Sequence, residues 1–372
     1  MADFMSFDNL KLAWVRTLSG ENTDYRSLQR IEIDSFGWAE DDNLRQLQKE
    51  LSENVFSPSQ TTKIYIPKPS GLLRPITVLR VLDTIVYQAI ANRLAERART
   101  HLSEYYLRSV FSNILTSAKG YPFFYRKWKF GCDRLDRERE RVSRQGYQWI
   151  GELDLASFYD VIDHTLLRSI LVDLCHEEEC LQLLFSCLSK WTIHRIGGFQ
   201  HGHGIPQGPL ASSFLAECVL HYLDSRLTRL DNAVYFRYVD NITLLATNER
   251  DAKKVMAQIE MVCRELGLVP QVKRHIEKPR DLENLMFQEA SPLEDDSSNV
   301  TETSPKQNAV LRKMFLGCFR GPKINMADEH LASKLNYSLF KMNPDRRVIN
   351  KVLGLLYALP SVADAVTIVT IA

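Results

Sequence analysis

The chain has 372 residues, of which 45% are hydrophobic and 25% are charged, and its formal net charge is +1. This length exceeds the size at which one core usually divides into domains, and a near-zero net charge excludes a uniformly basic surface. The absence of a C-x-x-C pair among seven cysteines, of a signal peptide and of any apolar run of about 18 residues favours a cytoplasmic protein that contacts no membrane.

The N-terminal part of the chain predicts helices followed by a short hairpin. Apolar residues recur at helical spacing through residues 10–18 and 44–51. Residues 63–67 and 74–78 have the composition of strands and flank a turn that contains Pro and Gly. Asp83 then opens a further predicted helix.

Residues 121–130 interleave aromatic and basic side chains. This mixture suits a single-stranded nucleic acid, because rings stack on bases and cations meet phosphates. It equally suits an amphipathic edge whose rings belong to the core and whose cations are solvated. The following residues 134–144 mix Arg with Asp and Glu, which predicts a solvated helix face.

Two aspartates each end an apolar run with the character of a strand. Asp154 follows residues 147–153, and Asp240 follows residues 234–239 at the turn of a predicted hairpin. A carboxylate among apolar residues needs a cationic partner, and two on neighbouring strands would suit a divalent cation with oxygen ligands. The alternative is that each Asp only marks the end of a strand.

Residues 204–209 form a turn rich in Gly and Pro, and a helix follows directly. Pro209 suits the first turn of that helix, which we expect to present one apolar face over residues 214–227. Gln207 and Gly208 therefore lie at a helix N-terminus, a position that favours phosphate.

The order of these motifs resembles that of reverse transcriptases. Asp154 with Phe158, Tyr159 and Asp160, then residues 204–209, then Tyr238-Val239-Asp240-Asn241 are similar to motifs A, B and C of that family. Upstream, Ile66-Pro67-Lys68, Gly71, Arg74-Pro75 and the stretch from Asp83 to Ala89 resemble the fingers motif of the bacterial branch related to group II introns.

The resemblance implies an α+β fold, a right-hand polymerase with fingers and a ferredoxin-like palm, followed by an α-helical C-terminal region. The expected domains are an N-terminal helical segment (1–60), fingers (61–145), palm (146–290), a mobile linker (291–308) and a helical C-terminal region (309–372). The last region ends in an apolar segment, which suggests a longer chain or contact with a partner protein or a second copy.

The resemblance also implies residue roles in RNA-directed DNA synthesis with Mg²⁺, or alternatively Mn²⁺. Asp154 and Asp240 match the catalytic, metal-binding aspartates, helped by the backbone carbonyl of Leu155. Tyr159 matches the ring that excludes a ribose 2′-hydroxyl. The other matched positions are the nucleotide-binding residues Lys68, Arg74, Gln207, Gly208 and Lys273 (or Arg274), and Tyr238 and Asn241 beside the metal ligands.

Asn241 departs from the family pattern, in which motif C usually carries a second aspartate. The amide removes one negative charge, so either an active enzyme or a catalytically impaired RNA-binding scaffold is consistent with the sequence. The C-terminal part is similar to defence-associated bacterial reverse transcriptases, which act against phage. That resemblance implies an RNA template, which could be a dedicated non-coding RNA, with dNTPs as substrates and DNA as product. It also leaves open template-independent or protein-primed synthesis.

Overall fold

The computed structural model describes residues 3–19, 21, 23–68, 72–116, 120–192, 202–227 and 230–278, together with 312, 315–320, 323–324 and 335. The chain divides into two compact units. One consists of Met1–Lys63 with Ile76–Phe287, and the other of Ile64–Pro75 with Gln288–Ala372.

Helices and short strands alternate along the described chain. After a 3₁₀ turn at Asp3–Met5, the helices are α1 (Phe7–Leu18), α2 (Thr23–Leu28), α3 (Arg30–Gly37), α4 (Glu40–Ser52), α5 (Val81–Ser103), α6 (Trp128–Arg144), α7 (Phe158–Val161), α8 (His164–Cys175), α9 (Glu178–Trp191), α10 (Leu210–Arg226) and α11 (Glu249–Glu265). The strands are β1 (Thr62–Pro67), β2 (Leu73–Val78), β3 (Trp149–Leu155), β4 (Ala233–Tyr238), β5 (Asn241–Ala246), β6 (Pro270–Glu277), β7 (Phe319–Arg320) and β8 (Lys323–Ile324).

Four of these strands form one antiparallel sheet in the order β4-β5-β3-β6. In the chain, α7 to α10 separate β3 from β4, a tight turn joins β4 to β5, and α11 separates β5 from β6. This is the βαββαβ order of a ferredoxin-like fold. Its first and third strands, here β3 and β5, lie at the centre of the sheet. The prediction of an α+β polymerase fold with a ferredoxin-like palm is therefore confirmed.

The two faces of this sheet pack against different partners. Leu153, Leu155, Ile242 and Leu244 belong to the main core, which also contains residues of α5, α8, α9, α10 and α11. On the opposite face, residues of β3 to β5 pack against α6 in a smaller cluster that contains Ile150, Phe236, Leu245, Phe111, Leu135 and Val142. Side chains that alternate along a strand reach opposite faces, which explains the separation of the two clusters.

Helix α10 is buried on nearly all sides, whereas the sequence predicted one apolar face. Besides apolar residues, it buries the charged residues Glu217 and Asp224, which are 3% exposed each. Because α10 packs against both α5 and α8, its buried polar residues need partners inside the protein.

Local backbone features set one boundary each of α8 and α11. The leucine-rich stretch 166–191 contains two helices, because α8 ends before His176, which has a positive φ of 53°. The N-cap of α11 is Asn248, whose side chain accepts from the Asp251 amide. Asn is among the strongest N-cap residues, and a capping acceptor bonds to the amide of the third residue.

The predicted linker (291–308) lies outside the described residues, and so does most of the predicted helical C-terminal region (309–372). The seven cysteines are buried, and none is joined in a disulfide. Among the residues that the structure describes, no helix is both long and apolar enough to cross a membrane.

Candidate active site

The sheet register brings the two predicted metal-binding aspartates to the same edge. β3 and β5 pair antiparallel from Trp149 opposite Ala246 to Leu153 opposite Ile242. Continued by one residue, this register places Asp154, at the end of β3, opposite Asn241, the first residue of β5. Asp240 directly precedes β5, so both carboxylates project from adjoining strand ends.

The connection that carries Asp240 is a two-residue turn. Tyr238 pairs with Asn241, which leaves Val239 and Asp240 as the turn residues. Val239 has a φ of 54°, in the left-handed region that a β-branched residue rarely adopts. Such a backbone costs about 1–3 kcal/mol and persists only where surrounding contacts impose it.

Lys273 reaches this edge because of an irregularity in β6. Leu153 pairs with Val272 and Glu152 with Arg274, so the register shifts and Lys273 is the extra residue between them. An extra residue of this kind changes the direction of a side chain relative to the ladder. The Lys273 ammonium donates to Asn241 Oδ1 at 2.6 Å and lies 3.8 Å from Asp154 Oδ1.

A second group of charges follows on the same face of the sheet. Glu152 lies 3.5 Å from the Arg139 guanidinium and 3.8 Å from that of Arg274, and Arg139 also donates to Thr243. Burial lowers the pKa of Arg139, although Glu152 opposes this shift. The prediction that 134–144 is a solvated helix face was wrong for Arg139, which is 2% exposed beneath the sheet.

The turn with Gln207 and Gly208 is in contact with strand β2 and helix α2. The Gln207 carbonyl accepts from the Thr77 amide at 2.9 Å. Gly208 has a φ of 130°, and a Cβ there would lie 2.5 Å from the ring of Tyr25 on α2. The Tyr25 hydroxyl donates to the Thr77 carbonyl and accepts from the Leu79 amide, both at 3.0 Å.

Tyr25 was not predicted from the sequence. Its contacts with Thr77 and Leu79 join residues about 50 positions apart, and no local pattern marks such a partner.

Tyr159 lies beside the same turn. Its carbonyl accepts from the Ile205 amide at 2.8 Å, and its hydroxyl is 3.4 Å from the hydroxyl of Ser213 on α10. His164 lies 2.7 Å from the carbonyl of Gly204 through Nε2, which must carry the proton to donate there. These contacts connect the segment after Asp154 to the turn at residues 204–209.

Lys68, Arg74 and Tyr238 are also among the predicted site residues. Lys68 and Arg74 are exposed on the β1–β2 hairpin, within the second compact unit, where the Lys68 amide donates to the Leu72 carbonyl at 2.7 Å. The ring of Tyr238 packs near Gly131 on α6, and burial raises the pKa of its hydroxyl.

The sequence left two interpretations open for residues 121–130, a nucleic-acid contact or an amphipathic edge of the core. The structure assigns some of the rings to each. Phe124 and Tyr125 are buried in the core, whereas Tyr121 and Phe123 are exposed and in contact, with ring centroids 5.7 Å apart. The exposed pair could therefore stack on bases, while the buried pair could not.

The donor set at the sheet edge fits a hard divalent cation. Carboxylate and backbone carbonyl oxygens are the ligands that such cations prefer. Leu155 lies opposite Pro270 in the β3–β6 ladder, and because proline has no N–H it cannot donate to the Leu155 carbonyl. Within the described part of the chain, no group of three or more His, Cys, Asp or Glu side chains is placed to hold a metal ion.

The family model described as "Reverse transcriptase (RNA-dependent DNA polymerase)" matches residues 66–278, more than half of the chain. The chain belongs to the reverse transcriptase family. The matched residues of this reverse transcriptase domain include the strand ends with Asp154 and Asp240, the turn at 204–209 and the extra residue Lys273.

Curated relatives share part of the chain with this reverse transcriptase domain. The Putative COX1/OXI3 intron 2 protein of Saccharomyces cerevisiae is 24% identical over 190 residues, and Protein YkfC of Escherichia coli is 26% identical over 190 residues. Each match covers 50% of this chain but only 20% and 45% of the relative. The chain thus matches less than half the length of either relative.

Solved structures similar to this chain include two telomerases. The telomerase from Candida albicans in complex with a TWJ fragment of telomeric RNA has a TM-score of 0.42 at 12% identity, covering 81% of this chain and 57% of that one. The truncated apo telomerase from Candida tropicalis has a TM-score of 0.38 at 14% identity, covering 59% and 52%. The assignment of the palm rests on the strand order of the sheet rather than on these scores.

Proposed function

We propose that this protein is an RNA-directed DNA polymerase that adds dNTPs by two-metal nucleotidyl transfer. The observation that carries the proposal is the meeting of Asp154 and Asp240 at adjoining ends of β3 and β5 in a ferredoxin-like palm. The family match over residues 66–278 supports the same reaction class.

In this proposal the residues at the sheet edge have distinct roles. Asp154, Asp240 and the carbonyl of Leu155 hold the cations, which are Mg²⁺ or alternatively Mn²⁺. When bound, the cations supply positive charge that stabilises the transferred phosphoryl group. Lys273, next to Asp154, is suited to give a proton to the pyrophosphate leaving group.

The other predicted residues contact the nucleotide in this proposal. Tyr159 excludes a ribose 2′-hydroxyl, and Gln207 with Gly208 lies against the incoming nucleotide. Lys68 and Arg74 bind its triphosphate. Tyr238 and Asn241 support the metal ligands from the hairpin.

We further place the protein in the bacterial branch related to group II introns, with a role in antiphage defence. The bacterial branch rests on the resemblance of the motifs, and the name of the yeast intron 2 protein agrees only with a relation to introns. The defence role rests on the resemblance of the C-terminal part of the chain. The proposed partners are an RNA template, which could be a dedicated non-coding RNA, together with the DNA product, and a second copy or another protein at the apolar C-terminal end.

A scaffold that binds RNA without synthesis is the second candidate, and Asn241 favours it. The amide accepts from Lys273 at 2.6 Å, where most relatives would place a carboxylate. The site thus has one fewer negative charge for cations. Template-independent or protein-primed synthesis by the same residues is a variant of the first candidate.

The test is incorporation of labelled dNTPs by the purified chain with Mg²⁺ or Mn²⁺. It is run with an RNA template and DNA primer, with RNA alone, and without nucleic acid. Asp154→Ala and Asp240→Ala should each abolish incorporation, because one carboxylate cannot hold both cations. Asp231→Ala is the matched control, since this exposed aspartate precedes β4 at the other end of the hairpin.

Incorporation that survives either substitution would refute the assignment of the site. RNA binding with steep salt dependence but no incorporation under any condition would favour the scaffold. Incorporation without a template would indicate template-independent synthesis. A product covalently attached to the protein would indicate protein-primed synthesis.

A further inference from the structure

The two backbone groups of Val239 are both held by buried side chains. Its amide donates to Ser112 Oγ at 2.6 Å, and its carbonyl accepts from Arg237 Nη1 at 3.0 Å. Val239 immediately precedes Asp240 and has the left-handed backbone described above. These two contacts therefore fix the unfavourable half of the turn that presents the Asp240 carboxylate.

Arg237 is itself fixed by two carboxylates of α10. Nη2 lies 2.7 Å from Glu217 Oε2 and 2.7 Å from Asp224 Oδ2, and Nε donates to Asp224 Oδ1 at 2.9 Å. Asn113 donates to Glu217, and the Tyr235 hydroxyl donates to Asp224, each at 2.9 Å. The guanidinium of Arg237 is 1% exposed, so water does not compete for these bonds.

Burial opposes charge on both kinds of group in this cluster. Burial lowers the pKa of Arg237, but Asp224 and Glu217 outweigh it and hold this pKa well above its ordinary value. Burial raises the pKa of Glu217, and Arg237 opposes that shift. A buried ionic cluster is often no more stabilising than apolar residues of the same volume. Its presence beneath the turn is better explained by a positional role than by stability.

The segment that carries Ser112 is joined to the same strand. The Arg237 amide donates to the Ser109 carbonyl at 2.7 Å, and the Phe111 amide donates to the Arg237 carbonyl at 3.1 Å. Ser112 Oγ also lies 3.4 Å from Glu217 Oε1. The amide contact and the carbonyl contact of Val239 are thus two ends of one connected cluster.

We propose that Ser112 and Arg237 are positioning residues that clamp the backbone of Val239 and thereby fix the Asp240 carboxylate for cation binding, with Glu217 and Asp224 orienting Arg237. The proposal rests on the proposed function of Asp240. Loss of the clamp lets the turn relax, so that the carboxylate samples more positions and binds a cation less tightly.

The experiment measures Mn²⁺ binding to the full chain by electron paramagnetic resonance, in parallel with the Mg²⁺ concentration that gives half-maximal dNTP incorporation. Ser112→Ala removes the acceptor of the Val239 amide. Arg237→Lys keeps a cation beside Glu217 and Asp224 but cannot also reach the Val239 carbonyl, because an ammonium lacks the guanidinium's fork of donors. Thermal unfolding is recorded for every variant.

Two matched controls separate positioning from stability. Ser143→Ala removes a fully buried hydroxyl that has no hydrogen-bond partner among the described residues. Tyr235→Phe removes a hydrogen bond to Asp224 within the same cluster but leaves both contacts of Val239 in place. We expect both controls to leave Mn²⁺ affinity unchanged, even where they lower the unfolding temperature.

We expect Ser112→Ala and Arg237→Lys to weaken Mn²⁺ binding roughly three- to tenfold, the effect of one lost hydrogen bond, and to raise the Mg²⁺ requirement in parallel with little change in KM for dNTP. Wild-type Mn²⁺ affinity in Ser112→Ala overturns the proposal, even if Arg237→Lys does not fold. Equal losses in the controls also overturn it.

The outcomes also separate this proposal from the proposed function. If the wild-type chain binds Mn²⁺ through Asp240 but incorporates no dNTP, the polymerase assignment fails, and the clamp is still judged by Mn²⁺ binding. If Asp240→Ala leaves Mn²⁺ binding unchanged, the clamp proposal fails as well.

Discussion

Among single residues, Tyr159 is the one we propose to separate a DNA polymerase from an RNA polymerase. Its ring packs against the core beside the turn at residues 204–209, so its position is fixed. We expect Tyr159→Ala to raise rNTP incorporation relative to dNTP by on the order of tenfold or more, because a steric barrier is removed. The measurement is the ratio of kcat/KM for the two nucleotides.

Tyr159→Phe is the control for this prediction. It keeps the ring and loses the 3.4 Å contact with Ser213, so discrimination should remain. Unchanged discrimination in Tyr159→Ala would mean that the ring has a structural role alone.

Asn241 is the residue that best distinguishes the two candidate functions, an active polymerase and an RNA-binding scaffold. Asn241→Asp adds a negative charge beside Asp154 and Asp240, which should strengthen cation binding and lower the Mg²⁺ requirement. Lys273 already donates to this position and would pair with the new carboxylate, so part of the gain is offset. The check is a Mg²⁺ titration of dNTP incorporation by both forms.

Lys273→Gln provides the second arm of a double-mutant cycle with Asn241→Asp. Without the lysine, the added carboxylate should lower the Mg²⁺ requirement further than it does alone. A higher Mg²⁺ requirement in Asn241→Asp would contradict the electrostatic account and leave Asn241 as a residue that positions Lys273.

At the scale of elements, the β4–β5 hairpin could be predicted, whereas its support could not. An apolar run that ends at the turn residues Val239-Asp240-Asn241 is a local signal for a hairpin. The shifted register at Lys273 depends on how β6 pairs with β3, so it could not be predicted from the sequence of β6 alone. Glu217 and Asp224 on α10 pair with Arg237, which is distant in the sequence, so their role could not be predicted from α10 alone.

The turn before α10 allows a sharp test of how the N-terminal helices support the site. Gly208→Ala combines a φ of 130° with a Cβ 2.5 Å from the ring of Tyr25, which cannot move away because its hydroxyl is bonded twice. We expect a loss of about 2–4 kcal/mol in the free energy of unfolding, measured in urea, together with reduced dNTP incorporation.

Gly267→Ala is the matched control for Gly208→Ala. Gly267 also has a positive φ, at 68°, but a Cβ there would meet nothing within 4 Å. Its substitution should cost only about 1–2 kcal/mol, from the backbone alone, and leave incorporation intact. Equal effects of the two substitutions would mean that the contact with Tyr25 does not constrain the turn.

For the whole molecule, a net charge of +1 means that any attraction for RNA comes from local groups of cations. Lys127 and Lys129 are exposed and near the exposed rings of Tyr121 and Phe123 in the sequence, which makes this stretch the test of the two interpretations left open by its composition. If both lysines meet phosphates, the double substitution Lys127→Gln with Lys129→Gln should reduce the slope of log K against log salt by about 1.4, at about 0.7 per contact with a single strand.

The control for the lysine pair lies on α11, where Lys253 and Lys254 are also exposed. Replacing both with Gln changes the net charge of the protein by the same amount, so an effect of overall charge would appear equally in both double variants. A change of slope confined to Lys127 and Lys129 would locate RNA at the aromatic and basic stretch. An equal slope in all three proteins would make those lysines solvated cations at the edge of the core, and RNA would have to be held elsewhere on the chain.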